Sequence, residues 1–497
     1  YRRNSTYQTL IKAGISSYGR YACPQVSASK KTINYKPSYH VMKHIVLAAA
    51  LSLVATQYLG ATTPSWFETD SAKAISKRLD RDFSLTVEQA RHRLSELYGA
   101  SVAARTEEFI AQGLLETRTT ADGNVMVFRK APSNLKLICP EVSGVEWISR
   151  GADADSSDVA IVRAVIESPL ASQDEYYHRG PAQTITFRFV VDVPYNEVLD
   201  GDTLRVWMPV PVETERQYDI SILSSSHPYV LSDGRSVHNT IYMQAPVTTG
   251  ESTHFEYTGR YTVTSLYVSE EDILSRIQPY DTTAPFYTDY TTMQAPHIVD
   301  LGVEARDIIG DETNPYLQHK LVYKYIADRY PWAGAREYST IPCMPRYVLD
   351  RGYGDCGQVS MLYISMMRSL GIPAQWESGW MLHPGDLNYH DWAEVYFEGI
   401  GWVPVDMSFG NYGVTPETYD KDTHGFYSHG IDMYRFASNR DICGTLYPAK
   451  KYIRSETIDF QAGEVETSRG NLFYPGWRSS LQIIKTEPAA VAQDEDE

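Results

Sequence analysis

The sequence predicts an α+β protein, and three observations carry that expectation. From Val359 onward, Val359, Leu362, Tyr363, Met366, Met367 and Leu370 recur at helical spacing, which marks a helix with one buried face. Between Gln183 and Val268 apolar and polar residues alternate in short runs separated by Pro, Gly and Asp, the pattern of strands. From His390 to Met407 two runs rich in aromatic and branched residues flank Glu398-Gly399-Ile400-Gly401, as in a hairpin.

Taken from the start, residues 1–61 hold eight Lys or Arg and no Asp or Glu, the first acid being Glu68. Met42-Lys43-His44 precedes the apolar run from Ile45 to Ala55, and Leu59-Gly60-Ala61 supplies small residues for cleavage. A charged start, an apolar centre and a small-residue site make residues 42–61 a secretory signal peptide, cleaved near Ala61. Residues 1–41 then read as an upstream extension, with translation starting at Met42. An acid-poor organelle transit peptide is the minor alternative, because the stretch lacks amphipathic arginine spacing. The expected address is periplasmic, cell-surface or secreted. The apolar run is short for a bilayer, no later segment reaches eighteen apolar residues, and no cysteine closely follows the cleavage site to take a lipid.

Residues 62–150 form a small helical and mixed region. Leu85, Val87, Ala90, Leu94, Leu97 and Tyr98 repeat at helical spacing, and Arg118 to Ile148 reads as short strand-like pieces. Residues 183–268 carry strands at Thr184–Val193, Thr203–Met208, Thr240–Met243 and Thr253–Thr264, an arrangement expected of a β-sandwich. Pro279, Pro285 and Pro296 mark residues 270–296 as a connecting segment. A core domain over residues 297–485 opens with helical stretches at Val299–Ile309 and Pro315–Tyr330. The helix that begins near Cys356 ends at Gly371 and Pro373, one suited to a left-handed cap and the other unable to continue. Gly425–Cys443 and Tyr452–Gln461 are expected to complete the core sheet, and residues 486–497 form an acidic tail ending in Asp494-Glu495-Asp496-Glu497.

Cys356 stands in Gly354-Asp355-Cys356-Gly357, immediately before that helix. A helix's first turn favours a thiolate over a thiol through its exposed N–H groups and macrodipole. With the hairpin centred on residue 398, His390 and Asp406 fall at neighbouring positions on one face. An imidazole beside a carboxylate is held in one tautomer, and its other nitrogen can accept the thiol proton. Each residue alone has an ordinary structural explanation: an inert buried cysteine, a core histidine, a turn carboxylate. Together they specify a nucleophile, a base and an orienting group. Trp392, Tyr396 and Trp402 read as hairpin packing, and His383, His424 and His429 as loop histidines without a ligand set for a metal.

Tyr353-Gly-Asp-Cys356-Gly, Leu370-Gly-Ile-Pro-Ala374, His390-Asp-Trp392-Ala-Glu-Val-Tyr396 and Gly401-Trp-Val-Pro-Val-Asp406 resemble, in order, the core segments of the transglutaminase-like superfamily. The resemblance covers roughly Ile298 to Tyr419 and implies a papain-like core, with Cys356 as nucleophile, His390 as general base and later acid, and Asp406 as orienting carboxylate. It also implies an oxyanion hole, whose first donor is the backbone N–H of Cys356. An upstream side chain contributes in relatives; Trp332 or a nearby glutamine and a plain core role for Trp332 both stay open. Strand domains often precede this core in larger bacterial members.

The chain's 497 residues suffice for two or three domains, and its 43% hydrophobic and 22% charged residues are those of a folded globular protein. Thirty-seven tyrosines and nine tryptophans agree with strand-rich domains. Removing residues 1–61 moves the net charge from −17 to −25, a field that repels nucleic acid and anionic membrane surfaces. The expected partner is a protein or peptide substrate. Of Cys23, Cys139, Cys343, Cys356 and Cys443, Cys343 and Cys443 are the pair that would staple the core to its C-terminal extension while Cys356 stays a thiol. The expected activity is acyl transfer through a thioester, with water as second nucleophile in a peptidase or amidase and an amine in a protein-glutamine transglutaminase. Exported bacterial relatives, by resemblance, favour hydrolysis. A non-catalytic binding protein on the same fold is the alternative from another class. Peptide N-glycanase is disfavoured by the lack of a CxxC pair, no EF-hand loop is present, and thiol chemistry calls for no cofactor.

Overall fold

The computed structural model describes residues 69–143, 156–170, 176–194, 201–248, 250–409, 425–473 and 476–489. The upstream extension at 1–41, the leader at 42–61, His424 and the acidic end at 494–497 lie outside the described residues.

The N-terminal unit comprises α1 (Thr69–Asp82), β1 (Leu85–Thr86), α2 (Val87–Tyr98), β2 (Thr117–Thr119), β3 (Val125–Val127) and α3 (Ala131–Ile138). Thr86 starts α2 with a reciprocal cap: its hydroxyl accepts from Gln89 N–H at 3.1 Å while Gln89 Oε1 accepts from Thr86 N–H at 2.8 Å. Phe109, Leu94 and Leu135 are fully buried in the centre of this unit. Residues 144–148 lie outside the described residues, and among the described ones from 118 to 143 the strand-like reading holds only for β2 and β3. Beyond them Pro132 sits in the first turn of α3, where its missing N–H costs nothing, and burial of Ala131 and Leu135 favours a helix.

Next come β4 (Tyr177–Val193), β5 (Thr203–Pro209), β6 (Gln217–Ser225), β7 (Tyr229–Leu231), β8 (Thr240–Pro246) and β9 (Thr253–Val268). The core follows with α4 (Gly302–Ile309), α5 (Pro315–Arg329), α6 (Met344–Arg351), α7 (Cys356–Ser369), β10 (Ala374–His383), β11 (Asp386–Phe397), β12 (Gly401–Val405), β13 (Gly430–Ile431) and β14 (Arg435–Asn439). The described chain closes with β15 (Glu464–Glu466), β16 (Asn471–Leu472) and β17 (Arg478–Ala489).

Two sheets build the sandwich. One runs β13-β9-β4-β17 with β6 also on β9, and the other runs β16-β15-β5-β8-β7. Phe187, Phe189, Phe255, Tyr257 and Tyr261 are fully buried in the core that the two sheets share. The sequence reading ends this layer at Val268 and assigns residues 297–485 to the core. Pairing extends it instead: Ser480 stands opposite Val190 on β4, Val465 opposite Val206 on β5, and Ile431 opposite Leu266 on β9. The chain passes through the core and returns to edge the sandwich, and residues 486–489 of the expected tail belong to β17.

The core sheet is antiparallel throughout, in the order β12-β11-β10-β14. Its cluster unites Val359, Leu362 and Met366 of α7 with Ala393, Val395, Val403 and Val405 of the hairpin and Val322 and Ile326 of α5. Every residue of α7 from Cys356 to Met367 is buried, where the sequence suggests one buried face. Ser360 and Ser365, which break the apolar pattern, are small enough to be enclosed by the packing elements. The segment 270–296 is more than a linker. It holds short helices at Glu270–Arg276 and Pro285–Thr291, and Phe286 and Tyr290 pack edge-on against Trp402 of the hairpin, 5.7 and 4.8 Å between ring centres.

Candidate active site

Cys356 is the first residue of α7. Asp355 caps the helix: its Oδ1 accepts from Gln358 N–H at 3.3 Å, and Gln358 Oε1 accepts from Asp355 N–H at 3.1 Å. The approach is fixed by Gly354, whose N–H donates to Pro331 O at 3.3 Å and whose carbonyl accepts from Ala333 N–H at 3.1 Å, with a parallel bridge to Trp332. Helix start and thiol position are therefore set by the same few residues. The cysteine is 8% exposed, and its sulfur lies 3.4 Å from Asp391 Oδ2.

His390 and Asp406 come from the hairpin. Ala393 pairs with Val405, Val395 with Val403 and Phe397 with Gly401, so the turn is centred on residue 399, one further than the spacing suggests. Continuing that register puts Asp406 opposite Trp392 and diagonal to His390, which keeps the imidazole and carboxylate on one face. The structure brings these two together: His390 Nε2 meets Asp406 Oδ2 at 2.6 Å, and both residues are fully buried. Asp391, the residue after His390, carries the contact to Cys356.

A guanidinium also holds the carboxylate. Arg435 Nη1 donates to Asp406 Oδ2 at 2.9 Å and Nη2 to Asp432 Oδ2 at 2.8 Å, while Ser408 N–H donates to Asp406 Oδ1 at 3.1 Å. Burial alone would raise the Asp406 carboxyl, but the neighbouring His390 and Arg435 outweigh it and hold the group below its ordinary range. Asp432, contacted also by His383 Nε2 and Tyr427 OH at 3.1 Å each, is depressed against its own burial by Arg435 and His383.

The surroundings of the sulfur have the opposite electrostatics. Tyr338 OH lies 2.8 Å from Asp355 Oδ1 and 3.0 Å from Asp391 Oδ2, and it accepts from Gly357 N–H at 3.1 Å. Gln461 Nε2 donates to Asp391 Oδ1 at 2.7 Å and to His390 O at 3.0 Å. Burial, reinforced by Asp355, pushes the Asp391 carboxyl up to about 8, and burial pushes Asp355 up to about 6.

Among the other residues singled out from sequence, Trp392 Nε1 donates to Glu377 Oε2 at 2.7 Å, and Tyr396 and Trp402 form a cross-strand pair at 5.5 Å. His429 Nδ1 bonds the Val268 carbonyl at 2.7 Å. The expected Cys343–Cys443 disulfide is not formed. Cys343 opens α6, whereas Cys443 sits in a turn at φ 58° with its amide on Ile458 O, and burial pushes its thiol up to about 12. Sequence reasoning passed over Tyr338, Asp391, Arg435 and Gln461. Asp391 had a signal, lying beside His390 in a quoted motif; the other three reach the site from distant segments.

Residues 304–407, which include Cys356, His390 and Asp406, match the family model of the transglutaminase-like superfamily. The chain carries a transglutaminase-like domain. Over 174 residues it is 25% identical to the uncharacterized protein YebA of Bacillus subtilis, a match covering 31% of this chain and 24% of that protein. The chain thus spans about a quarter of the length of this curated relative. Among solved structures, one from Cytophaga hutchinsonii, described as an inferred cysteine protease, is 12% identical with a TM-score of 0.38, covering 64% of this chain and 97% of that one. The periplasmic domain of TgpA from Pseudomonas aeruginosa is 13% identical with a TM-score of 0.26, covering 45% and 88%. No helix among the described residues is long and apolar enough to cross a membrane. The matched segment of the transglutaminase-like domain runs from α4 to the residues just after β12, so it holds the thiol and its helix together with the histidine and carboxylate strands.

Proposed function

We propose that this protein is an exported cysteine-dependent acyl-transfer enzyme that hydrolyses amide bonds in a protein or peptide substrate. The observation that carries the reading is the buried His390 Nε2 to Asp406 Oδ2 contact of 2.6 Å, on the strand whose next residue touches the Cys356 sulfur.

With Nε2 engaged by Asp406, Nδ1 is the imidazole nitrogen that exchanges protons. The Cys356 S–H bond breaks, its proton passes to His390 Nδ1, and the thiolate attacks the amide carbonyl carbon. Asp406 and Arg435 hold the ring in place, and Asp406 stabilises the imidazolium that forms. The Cys356 backbone N–H, at the positive end of α7, faces the developing oxyanion. When the tetrahedral intermediate collapses, His390 returns its proton to the leaving amine and the acyl group remains on sulfur. His390 then takes a proton from water, the hydroxide attacks the thioester, and the acid leaves as Cys356 recovers a proton.

The mature protein, under reducing conditions, is to be offered a peptide library and a labelled primary amine in parallel, beside Cys356→Ala. Cleavage that disappears in the variant supports hydrolysis. Incorporation of the amine replaces the proposal with a transglutaminase, and neither activity replaces it with a binding protein. Export is checked by N-terminal sequencing of the protein recovered outside the cytoplasm, where a start just after Ala61 is expected.

A further inference from the structure

The reading above leaves Asp391 without a task, although it is the carboxylate that touches the sulfur. It is 2% exposed, and both of its oxygens are committed: Oδ1 accepts from Gln461 at 2.7 Å, while Oδ2 faces Cys356 Sγ at 3.4 Å and Tyr338 OH at 3.0 Å. Gln461 also donates to the His390 carbonyl, so one amide fixes the carboxylate and the neighbouring backbone together. The placement is built and rigid.

A thiolate and a carboxylate in contact in a buried site are like charges with little water between them, and only one of the pair is ionised at a time. Two arrangements of a single proton satisfy that condition. Either sulfur holds it and the carboxylate accepts the S–H hydrogen bond, or Oδ2 holds it and donates to the thiolate. Exchange breaks the S–H bond and forms an O–H bond, or the reverse, with no change in net charge.

We propose that Asp391 and Cys356 share one proton, so that Asp391 is a positioning residue that sets how much of the nucleophile exists as thiolate. The groups around it favour such sharing. Asp355 at the helix start, Asp459 before β15 and Asp406 beyond β12 are all acidic and oppose a negative charge on Asp391. Tyr338 bridges to Asp355 without adding a cation, the nearby Lys130 acts on Asp355, and His390 is the adjacent titratable ring. Burial together with Asp355 brings the Asp391 carboxyl up to about 8, so Oδ2 is an oxygen on which a proton can rest. With the proton on Oδ2 the sulfur is a thiolate, and with it on sulfur the carboxylate accepts the S–H hydrogen bond.

The proposal rests on Cys356 being the nucleophile but not on what is hydrolysed, so the test reads thiol chemistry and no turnover. Alkylation of Cys356 by iodoacetamide is to be followed from pH 5 to 10 in the wild type, Asp391→Asn and Asp391→Glu. The wild type should show two macroscopic steps, because coupled groups titrate as a pair. Asp391→Asn, which keeps a hydrogen-bond donor and removes the charge, should show one step at lower pH and react roughly tenfold faster near pH 6. Asp391→Glu should restore two steps. If Asp391→Asn is poorly folded by circular dichroism, difference infrared spectroscopy of the wild type takes its place: alkylating Cys356 should change the protonated-carboxyl band of Asp391. Superposable wild-type and Asp391→Asn profiles, or an infrared band indifferent to alkylation, overturn the proposal. Absence of amide cleavage with an Asp391-dependent profile would instead sink only the hydrolase reading.

Discussion

Arg435 donates to Asp406 Oδ2 at 2.9 Å, the same oxygen that meets His390 Nε2 at 2.6 Å. The guanidinium also holds Asp432 at 2.8 Å and is 1% exposed, so one buried cation is shared by two buried carboxylates. It arrives on β14, which joins the sheet at the far side of β10 from the hairpin.

Arg435→Met is therefore expected to destabilise the protein by about 3–5 kcal/mol, because it removes the guanidinium that two buried carboxylates share and leaves them only the imidazoles of His390 and His383. Arg435→Lys should recover part of this, since one ammonium cannot span both carboxylates as the fork does. Urea denaturation of the three proteins decides the matter. A loss below about 1 kcal/mol in the methionine variant would mean that Asp406 and Asp432 are satisfied without the arginine.

Asp406→Asn keeps the shape of the side chain and removes its charge. The amide no longer stabilises an imidazolium and can present an N–H to His390 Nε2, which favours the wrong tautomer. The expected fall in kcat is on the order of 10³–10⁴, with KM nearly unchanged. Steady-state kinetics on a cleaved peptide, with nitrogen NMR of His390 to read the tautomer, checks both halves. Retained kcat would remove Asp406 from the proposed triad.

The pH dependence of stability follows from two opposed sets of carboxylates. Burial raises Asp355 to about 6, Glu337 and Glu394 to about 7 and Asp391 to about 8, with neighbouring acids adding to the last three. For a raised carboxyl, stability is fully present below the unfolded value near pH 4 and is lost as pH rises through the folded value. Asp406 and Asp432 are depressed, so their contribution is present above about pH 4 and lost as pH falls below it. Thermal melts should accordingly show a maximum Tm near pH 4 and a decline from there to about pH 8, and Glu394→Gln should flatten part of that decline. A Tm that is constant or rising from about pH 5 to 8 would contradict the assignment.

How much of this was legible in the sequence depends on how local each signal is. The helix at Cys356 could be read because its apolar repeat, its Gly371 and its Pro373 lie within one short stretch. Asp355-x-x-Gln358 also announces a capping box within four residues. The hairpin was legible, but its register slipped by one residue, since Gly399 and Gly401 both take positive φ and either can centre the turn. His390 and Asp406 survive that slip only because a diagonal pair stays on the same face. Arg435 and Gln461, by contrast, sit 29 and 70 residues from their partners Asp406 and Asp391, and no periodicity reports a contact of that span. The return of β17 to β4 was hidden for the same reason: a strand declares its pattern, not its neighbour.

Gly357 offers the last test, because it sits where a glycine is ordinarily a cost. Within a helix, alanine is more favourable than glycine by about 0.5–1 kcal/mol, so Gly357→Ala should help if only propensity counted. A Cβ built there, however, would lie 2.7 Å from Asp391 Oδ2 and closer still to the Tyr338 hydroxyl. Both groups are buried and hydrogen-bonded, and the ring of Tyr338 cannot bend aside as a flexible chain end would. The expected outcome is a loss of about 1–3 kcal/mol from overpacking, with Cys356 alkylation altered because Asp391 is displaced. Tyr338→Phe alone should also destabilise, since it removes the hydroxyl that Gly357 N–H, Asp355 and Asp391 share. In the double variant the alanine methyl meets less, so the combined loss should fall short of the two single losses by about 0.5 kcal/mol or more. Strict additivity in urea denaturation would show that the methyl and the hydroxyl do not compete, and the close approach of Tyr338 to the start of α7 would then not be what requires glycine at this position.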